Sequence, residues 1–118
     1  MKIVMDTSFL VTSMKFKVDF FTELMEHELF VIDKVLEELQ KIAESKGKDG
    51  IAARVALEFI KKRGIDVLEA DAETDDALIL YGKRGYAVAT QDIKLKRRLK
   101  NEKIKLIYVK QKKYVKIE

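Results

Sequence analysis

Four carboxylates in this chain are placed where chemistry could use them. Asp6 closes the apolar run Ile3-Val4-Met5, and Asp92 closes Thr90-Gln91-Asp92 just after Tyr86-Ala87-Val88-Ala89. Glu38 sits beside the apolar stripe of a helical pattern, and Asp76 falls in the first turn of another. If the two apolar runs are parallel strands, Asp6 and Asp92 leave them at their C-terminal ends. Carboxylates gathered in a small space repel one another unless a cation lies between them. The pattern therefore suggests a hard-metal site, and through it phosphate chemistry.

Each acid also has a plainer use. Asp6 and Asp92 suit a turn or a helix N-cap. Glu37 and Glu38 are adjacent, and the face Val35, Leu36, Leu39, Ile42 and Ala43 decides between them. At about 100° per residue, Glu37 points away from that face while Glu38 lies at its flank, so Glu38 is the candidate. Thr74-Asp75-Asp76-Ala77 reads as a helix start with Thr74 as N-cap, and acids in a first turn complement the helix dipole. Periodicity does not separate Asp75 from Asp76, because Ala77 to Tyr81 is apolar nearly all round. Thr7, Ser8 and Thr90 are candidate hydroxyl donors that orient the carboxylates.

The elements that must position these residues alternate. Strands are expected at Lys2–Met5, Leu29–Ile32, Ile65–Leu68, Tyr86–Ala89 and Ile104–Val109, and helices at Lys17–His27, Lys34–Ser45, Gly50–Arg63, Asp75–Arg84 and Ile93–Asn101. Gly64 and Gly85 read as helix stops. Alternation of this kind predicts an α/β fold, a parallel sheet of about five strands with helices on both faces. Residues 3–5 and 86–89 are free of charge, as doubly covered central strands should be, whereas the third and fifth runs carry charges that suit edges. The order 3-2-1-4-5 follows. Its winding reverses between strands one and four, where such sheets bind ligands and where Asp6 and Asp92 emerge.

At 118 residues the chain is read as a single domain, residues 1–118, able to bury a core. No apolar run is long enough to span a membrane, no signal peptide is recognisable, and there is no cysteine, so a soluble cytoplasmic protein without disulfides or thiolate sites is expected. The charge is uneven: residues 94–118 hold 11 Lys or Arg against 2 acids, while the remainder holds 13 against 18. An acidic body with a basic end suits a metal site beside a polyanion grip, with Lys94, Lys96, Arg97, Arg98 and Lys100 following the backbone and Tyr108 or Tyr114 offering a stacking face. A solvated basic surface is the competing explanation. The lone His27 is far in sequence from the acids, and no glycine-rich phosphate loop is present, so a Ser-His-Asp triad and a nucleotide cradle are both disfavoured.

The joint pattern resembles the PIN-domain family of metal-dependent nucleases along nearly the whole chain. The matching pieces are Ile3-Val4-Met5-Asp6-Thr7-Ser8, Val35-Leu36-Glu37-Glu38-Leu39, Thr74-Asp75-Asp76-Ala77-Leu78-Ile79 and Val88-Ala89-Thr90-Gln91-Asp92. The resemblance assigns Asp6, Glu38, Asp76 (directly before the small Ala77) and Asp92 as catalytic metal ligands for Mg²⁺ or Mn²⁺. Gln91 stands where many members carry Asn. The resemblance implies a three-layer fold and hydrolysis of single-stranded RNA, with the metal lowering the pKa of an attacking water. Two branches compete. The C-terminal stretch and residues 47–54 resemble archaeal proteins related to small-subunit ribosomal RNA processing nucleases, which implies a pre-ribosomal partner. The VapC toxins are of similar size and imply an antitoxin. A homodimer is compatible with either. Outside the enzymes, a non-cleaving RNA- or ribosome-binding module shares the fold.

Overall fold

The computed structural model describes all residues, 1–118. The strands are β1 (Lys2–Met5), β2 (Glu28–Ile32), β3 (Asp66–Leu68), β4 (Ala87–Ala89), β5 (Leu106–Lys110) and β6 (Tyr114–Ile117). The helices are α1 (Thr7–Lys15), α2 (Phe20–Glu23), α3 (Asp33–Ala43), α4 (Lys48–Arg63), α5 (Thr74–Lys83) and α6 (Ile93–Asn101). The six strands form one sheet in the order β3-β2-β1-β4-β5-β6, parallel except for the antiparallel β5–β6 pair. The strand order runs one way from β1 and the other way from β4, which puts helices on both faces when crossovers keep their usual right hand. Accordingly α1, α3 and α4 pack together as one layer, and α5 packs on α6.

The uncharged strands are the central ones. Ile3, Val4, Met5, Val88 and Ala89 have no solvent exposure, and Met5 is paired with Ala89. At the β3 margin Val67 is exposed and Asp66 tolerates water. Gly64 ends α4 in the left-handed conformation, φ 62°, and Gly85 turns the chain after α5 at φ 100°, both as helix stops should.

Three expectations change. A helix, α1, occupies Thr7–Lys15 directly after Asp6, turning Phe9, Leu10 and Ser13 inward. The helix expected over Lys17–His27 is one turn only: Lys17 sits at φ 54°, which no helix interior allows, and Leu24 already closes α2. The strand expected at an edge, β5, is buried because β6 covers it. Lys105, the charge that suggested an edge, precedes the strand.

Candidate active site

Asp6 is the structural hub of the sheet's reversal point. Its N–H donates to the Ala89 carbonyl at 2.8 Å, extending the β1–β4 seam by one rung. Its side chain caps α1, with Oδ1 accepting from the Thr7 N–H at 2.8 Å. Oδ2 accepts from the Thr90 hydroxyl at 2.7 Å and from the Ser8 hydroxyl at 3.1 Å. The N-cap reading and the site reading therefore hold together, because the turn that caps the helix also fixes the carboxylate. Asp6 is only 5% exposed. Burial raises its pKa above the usual value and the Glu38 charge adds to this, while the Thr90, Thr7 and Ser8 donors oppose it.

Glu38 flanks the apolar face of α3 and Glu37 points to solvent, as the periodicity requires. Its two oxygens bridge two helix starts: Oε1 accepts a very short hydrogen bond from the Thr7 hydroxyl, and Oε2 accepts from the Thr74 hydroxyl at 2.8 Å. Thr7 thus orients two carboxylates at once, Asp6 through its backbone and Glu38 through its side chain. The sequence marks Thr74 as the cap of α5. In the structure Glu73 takes that position, leaving Thr74 free to hold Glu38. A hydroxyl one residue inside a helix start gives no distinctive signal in sequence, so this role is visible only in the folded chain.

Asp92 caps α6, its Oδ1 accepting from the Leu95 N–H at 3.0 Å, while its own N–H donates to the Thr90 hydroxyl at 3.1 Å. Thr90 thereby links Asp92 to Asp6.

The third acid differs from expectation. Asp75, not Asp76, lines the cleft with Asp6, Glu38 and Asp92. Helical geometry explains the difference. Asp75 shares a face with buried Leu78, Ile79 and Gly82, whereas Asp76, about 100° round, shares one with exposed Leu80 and Lys83. Asp76 instead accepts from Arg98 Nη2 at 2.9 Å on the surface. Burial raises the Asp75 pKa, and the Asp92, Glu38 and Asp76 charges add to it against the opposing pull of Arg98.

The cleft holds about 330 Å³ and is completed by Thr7, Ser8, Val11, Ile42 and Thr74. No Lys or Arg lines it, so four carboxylates from four distant segments share one opening without a counter-charge in its wall. No three of these side chains converge into a ready coordination shell, since Asp6 and Glu38 turn their oxygens to hydroxyl groups. All the polar donors are hard oxygens, which suits Mg²⁺ or Mn²⁺. A larger hollow of about 470 Å³ lies between α1, α2 and α4, lined by Phe20, Phe21, Ile51, Val55 and Phe59. It is mainly apolar, with Ser13, Lys17 and Asp19 as its polar residues and no cluster of carboxylates, so the smaller acidic cleft is the candidate site.

The basic residues of α6 divide. Arg98 turns toward α5, Lys100 pairs with Glu118 at 3.7 Å, and the Lys96 ammonium lies 4.2 Å from the centre of the Tyr108 ring. Lys94 and Arg97 face solvent. Tyr108 is covered by Lys96 and donates to Glu118 Oε1 at 3.2 Å, whereas Tyr114 is exposed. His27 meets the chain's N-terminal amine at 3.0 Å, at the opposite edge of the sheet from the acids.

An open, mainly parallel sheet with acids gathered at its reversal point defines an α/β protein with an acidic cleft. The chain belongs to the PIN-like domain family, whose model matches residues 3–112. It is 34% identical over 126 residues to Ribonuclease VapC4 of Methanocaldococcus jannaschii, covering 98% of this chain and 95% of that one. It is 32% identical over 120 residues to Ribonuclease VapC9 of Archaeoglobus fulgidus, covering 98% and 87%. Among solved structures, the PIN domain endonuclease Utp24 superposes with a TM-score of 0.80 at 26% identity, covering 99% of this chain and 90% of that one. A domain of a functionally unknown protein from Methanocaldococcus jannaschii shares the fold, with a TM-score of 0.65 at 16% identity.

Proposed function

We propose that this protein is a divalent-metal-dependent endoribonuclease, with Asp6, Glu38, Asp75 and Asp92 as its metal-holding acids. The observation that carries the reading is that these four carboxylates line one cleft with no basic residue in its wall. Relatives named ribonucleases and a neighbour named an endonuclease support the same chemistry. When bound, Mg²⁺ or Mn²⁺ supplies a hydroxide near neutral pH and stabilises charge developing on the phosphate and the leaving oxygen.

The residues of the chain position what reacts. Thr90, Ser8 and the Thr7 N–H fix the Asp6 carboxylate, and Thr7 and Thr74 fix Glu38. Asp92 is held at the start of α6 by its own capping bond. Lys94, Arg97 and Arg98 on the outer faces of α6 grip the RNA backbone, and Asp76 holds Arg98 at the rim of the cleft.

Processing of ribosomal RNA is the role toward which the C-terminal stretch points. The VapC relatives favour a second reading, a VapC-type ribonuclease restrained by a protein antitoxin. A small overlapping reading frame encoding a DNA-binding protein would favour the second.

The test of the chemistry is Asp92→Asn. Asn caps a helix as well as Asp, so α6 should stay folded while the ligand charge is lost. Mn²⁺-dependent cleavage of a single-stranded RNA should fall by about 100-fold or more, because even partners one shell outside a metal cost 10–100-fold. Full activity in the variant would remove Asp92 from the site.

A further inference from the structure

Where β4 leaves the sheet, a side chain takes over from the backbone. In the parallel β4–β5 ladder, Val88 N–H donates to the Lys105 carbonyl at 3.0 Å and Thr90 N–H to the Ile107 carbonyl at 2.9 Å. The next rung would be Asp92 N–H on the Val109 carbonyl. That bond is not made. Gln91 Nε2 donates to the Val109 carbonyl at 3.1 Å, and the Val109 N–H donates to Gln91 Oε1 at 2.6 Å. The carboxamide stands in for two backbone groups, the Thr90 carbonyl and the Asp92 N–H, giving Val109 both bonds of a strand partner. Reversing the amide would set donor against donor and acceptor against acceptor, so the partners fix its orientation.

The substitution releases Asp92. Its N–H turns to the Thr90 hydroxyl and its carboxylate caps Leu95 while lining the cleft. The backbone of Gln91 also donates to Ser8 Oγ at 3.0 Å, and the Ser8 hydroxyl donates to Asp6. One residue therefore ties the Asp92 turn to β5 on one side and to the Asp6 network on the other.

We propose that Gln91 is a positioning residue, an amide clamp that ends β4 and sets Asp92 and the Ser8–Asp6 pair in register across the cleft. The inference rests on the metal-nuclease reading for its effect on catalysis, but the clamp itself is a property of the fold. The residue type is demanding. A side chain of similar length without an amide, such as Met, cannot serve Val109 N–H and carbonyl together. Asn has the amide but is one methylene short of spanning both from the same backbone.

The test compares Gln91→Met and Gln91→Asn with the wild type by four readouts. These are kcat and KM on single-stranded RNA with Mn²⁺, Mn²⁺ affinity by calorimetry, hydrogen exchange at the Leu95 and Val109 amides, and thermal unfolding. For Gln91→Met, kcat and Mn²⁺ affinity should each fall about 10–100-fold, the range for partners one shell outside a metal site. KM for RNA should hold, and exchange at Leu95 should accelerate as the Asp92 cap loosens. Gln91→Asn should fall between Met and wild type. Wild-type kcat and Mn²⁺ affinity in Gln91→Met would overturn the inference. So would a loss of kcat that follows melting temperature alone with Leu95 exchange unchanged. If Gln91→Met does not fold, Gln91→Asn decides, and failure of both to fold would make Gln91 a support of the fold and refute the positioning role. An absence of Mn²⁺-dependent cleavage in the wild type would instead sink the nuclease reading, and Leu95 exchange would still report on the clamp.

Discussion

The neighbouring aspartates at the start of α5 offer a sharp comparison. Asp75 lines the cleft, and Asp76 faces outward to Arg98. Replacing Asp76 with Asn loses an ion pair whose partners are 58% and 47% exposed. Exposed pairs contribute about 0.2–1 kcal/mol, so even if all of it were spent on placing Arg98, the effect on kcat/KM would be at most about fivefold. Replacing Asp75 with Asn removes a charge from the cleft itself, and under the proposed metal-holding role the loss should be about 100-fold or more. Stability should move the other way. The Asp75 charge is opposed by burial and by Asp92, Glu38 and Asp76, outweighing Arg98, so its removal in metal-free buffer at neutral pH should leave the melting temperature unchanged or higher. The helix dipole, worth about 0.3–1 kcal/mol for an acid in the first turn, limits that gain. Cleavage of a fluorophore–quencher RNA at saturating Mn²⁺, with thermal unfolding in EDTA, measures both. Equal loss of activity from the two substitutions would refute the argument and return Asp76 to the metal site.

Divalent cation should stabilise the fold at neutral pH, by about 2.7 kcal/mol at 100 times its dissociation constant. Asp6 and Asp75 have raised folded-state pKa values, so metal-free stability should rise as pH falls through those values and level off below about 3.8. The gain from metal should shrink over the same range, and a melting temperature blind to Mn²⁺ at pH 7 would count against the site. Replacing Arg97 and Arg98 with Gln should weaken RNA binding mainly at low salt and flatten its salt dependence by roughly 0.7 log units for each phosphate no longer neutralised. An unchanged slope in filter-binding titrations would move the RNA to another surface. Ser13 is fully buried and its hydroxyl has no partner, so Ser13→Ala should raise stability by about 1 kcal/mol, or roughly 4 °C in thermal unfolding. A lower melting temperature would mean that the hydroxyl has a partner in solution.

Much of the frame is legible in the sequence because its signals are local. Charge-free Ile3-Val4-Met5 and Ala87-Val88-Ala89 suit central strands, where the structure places them, and Glu38 can be told from Glu37 by the stripe beside it. Helix α1 is hidden by composition: Thr7, Ser8, Val11, Thr12 and Ser13 are modest helix formers, held there by the Asp6 cap and by Phe9 and Leu10 in the core. Strand β6 is hidden by its turn. Gln111 and Lys112 adopt φ 55° and 56°, the geometry for which hairpins ordinarily use Asn or Gly, so no turn signal marks it. Asp75 is hidden because the residues after it are apolar all round, and only the packing of α5 shows which side faces in.

The central seam also fixes when the site can exist. Asp6 takes its bond from Thr90 across 84 residues of sequence, because β1 lies between β2 and β4. A chain leaving the ribosome N-terminus first can pair β1, β2 and β3 once residue 68 is out. At that stage it holds Asp6 and Glu38 but neither Asp75 nor Asp92. The 24 residues from there to Asp92 take about 1–5 s to synthesise, and β5 must follow before Gln91 has Val109 to hold. Closing so distant a pairing is a late and slow event in folding. Half-made copies of the protein thus lack a complete acidic cleft, because Asp75, Asp92 and the Val109 partner of Gln91 all arrive after the first three strands.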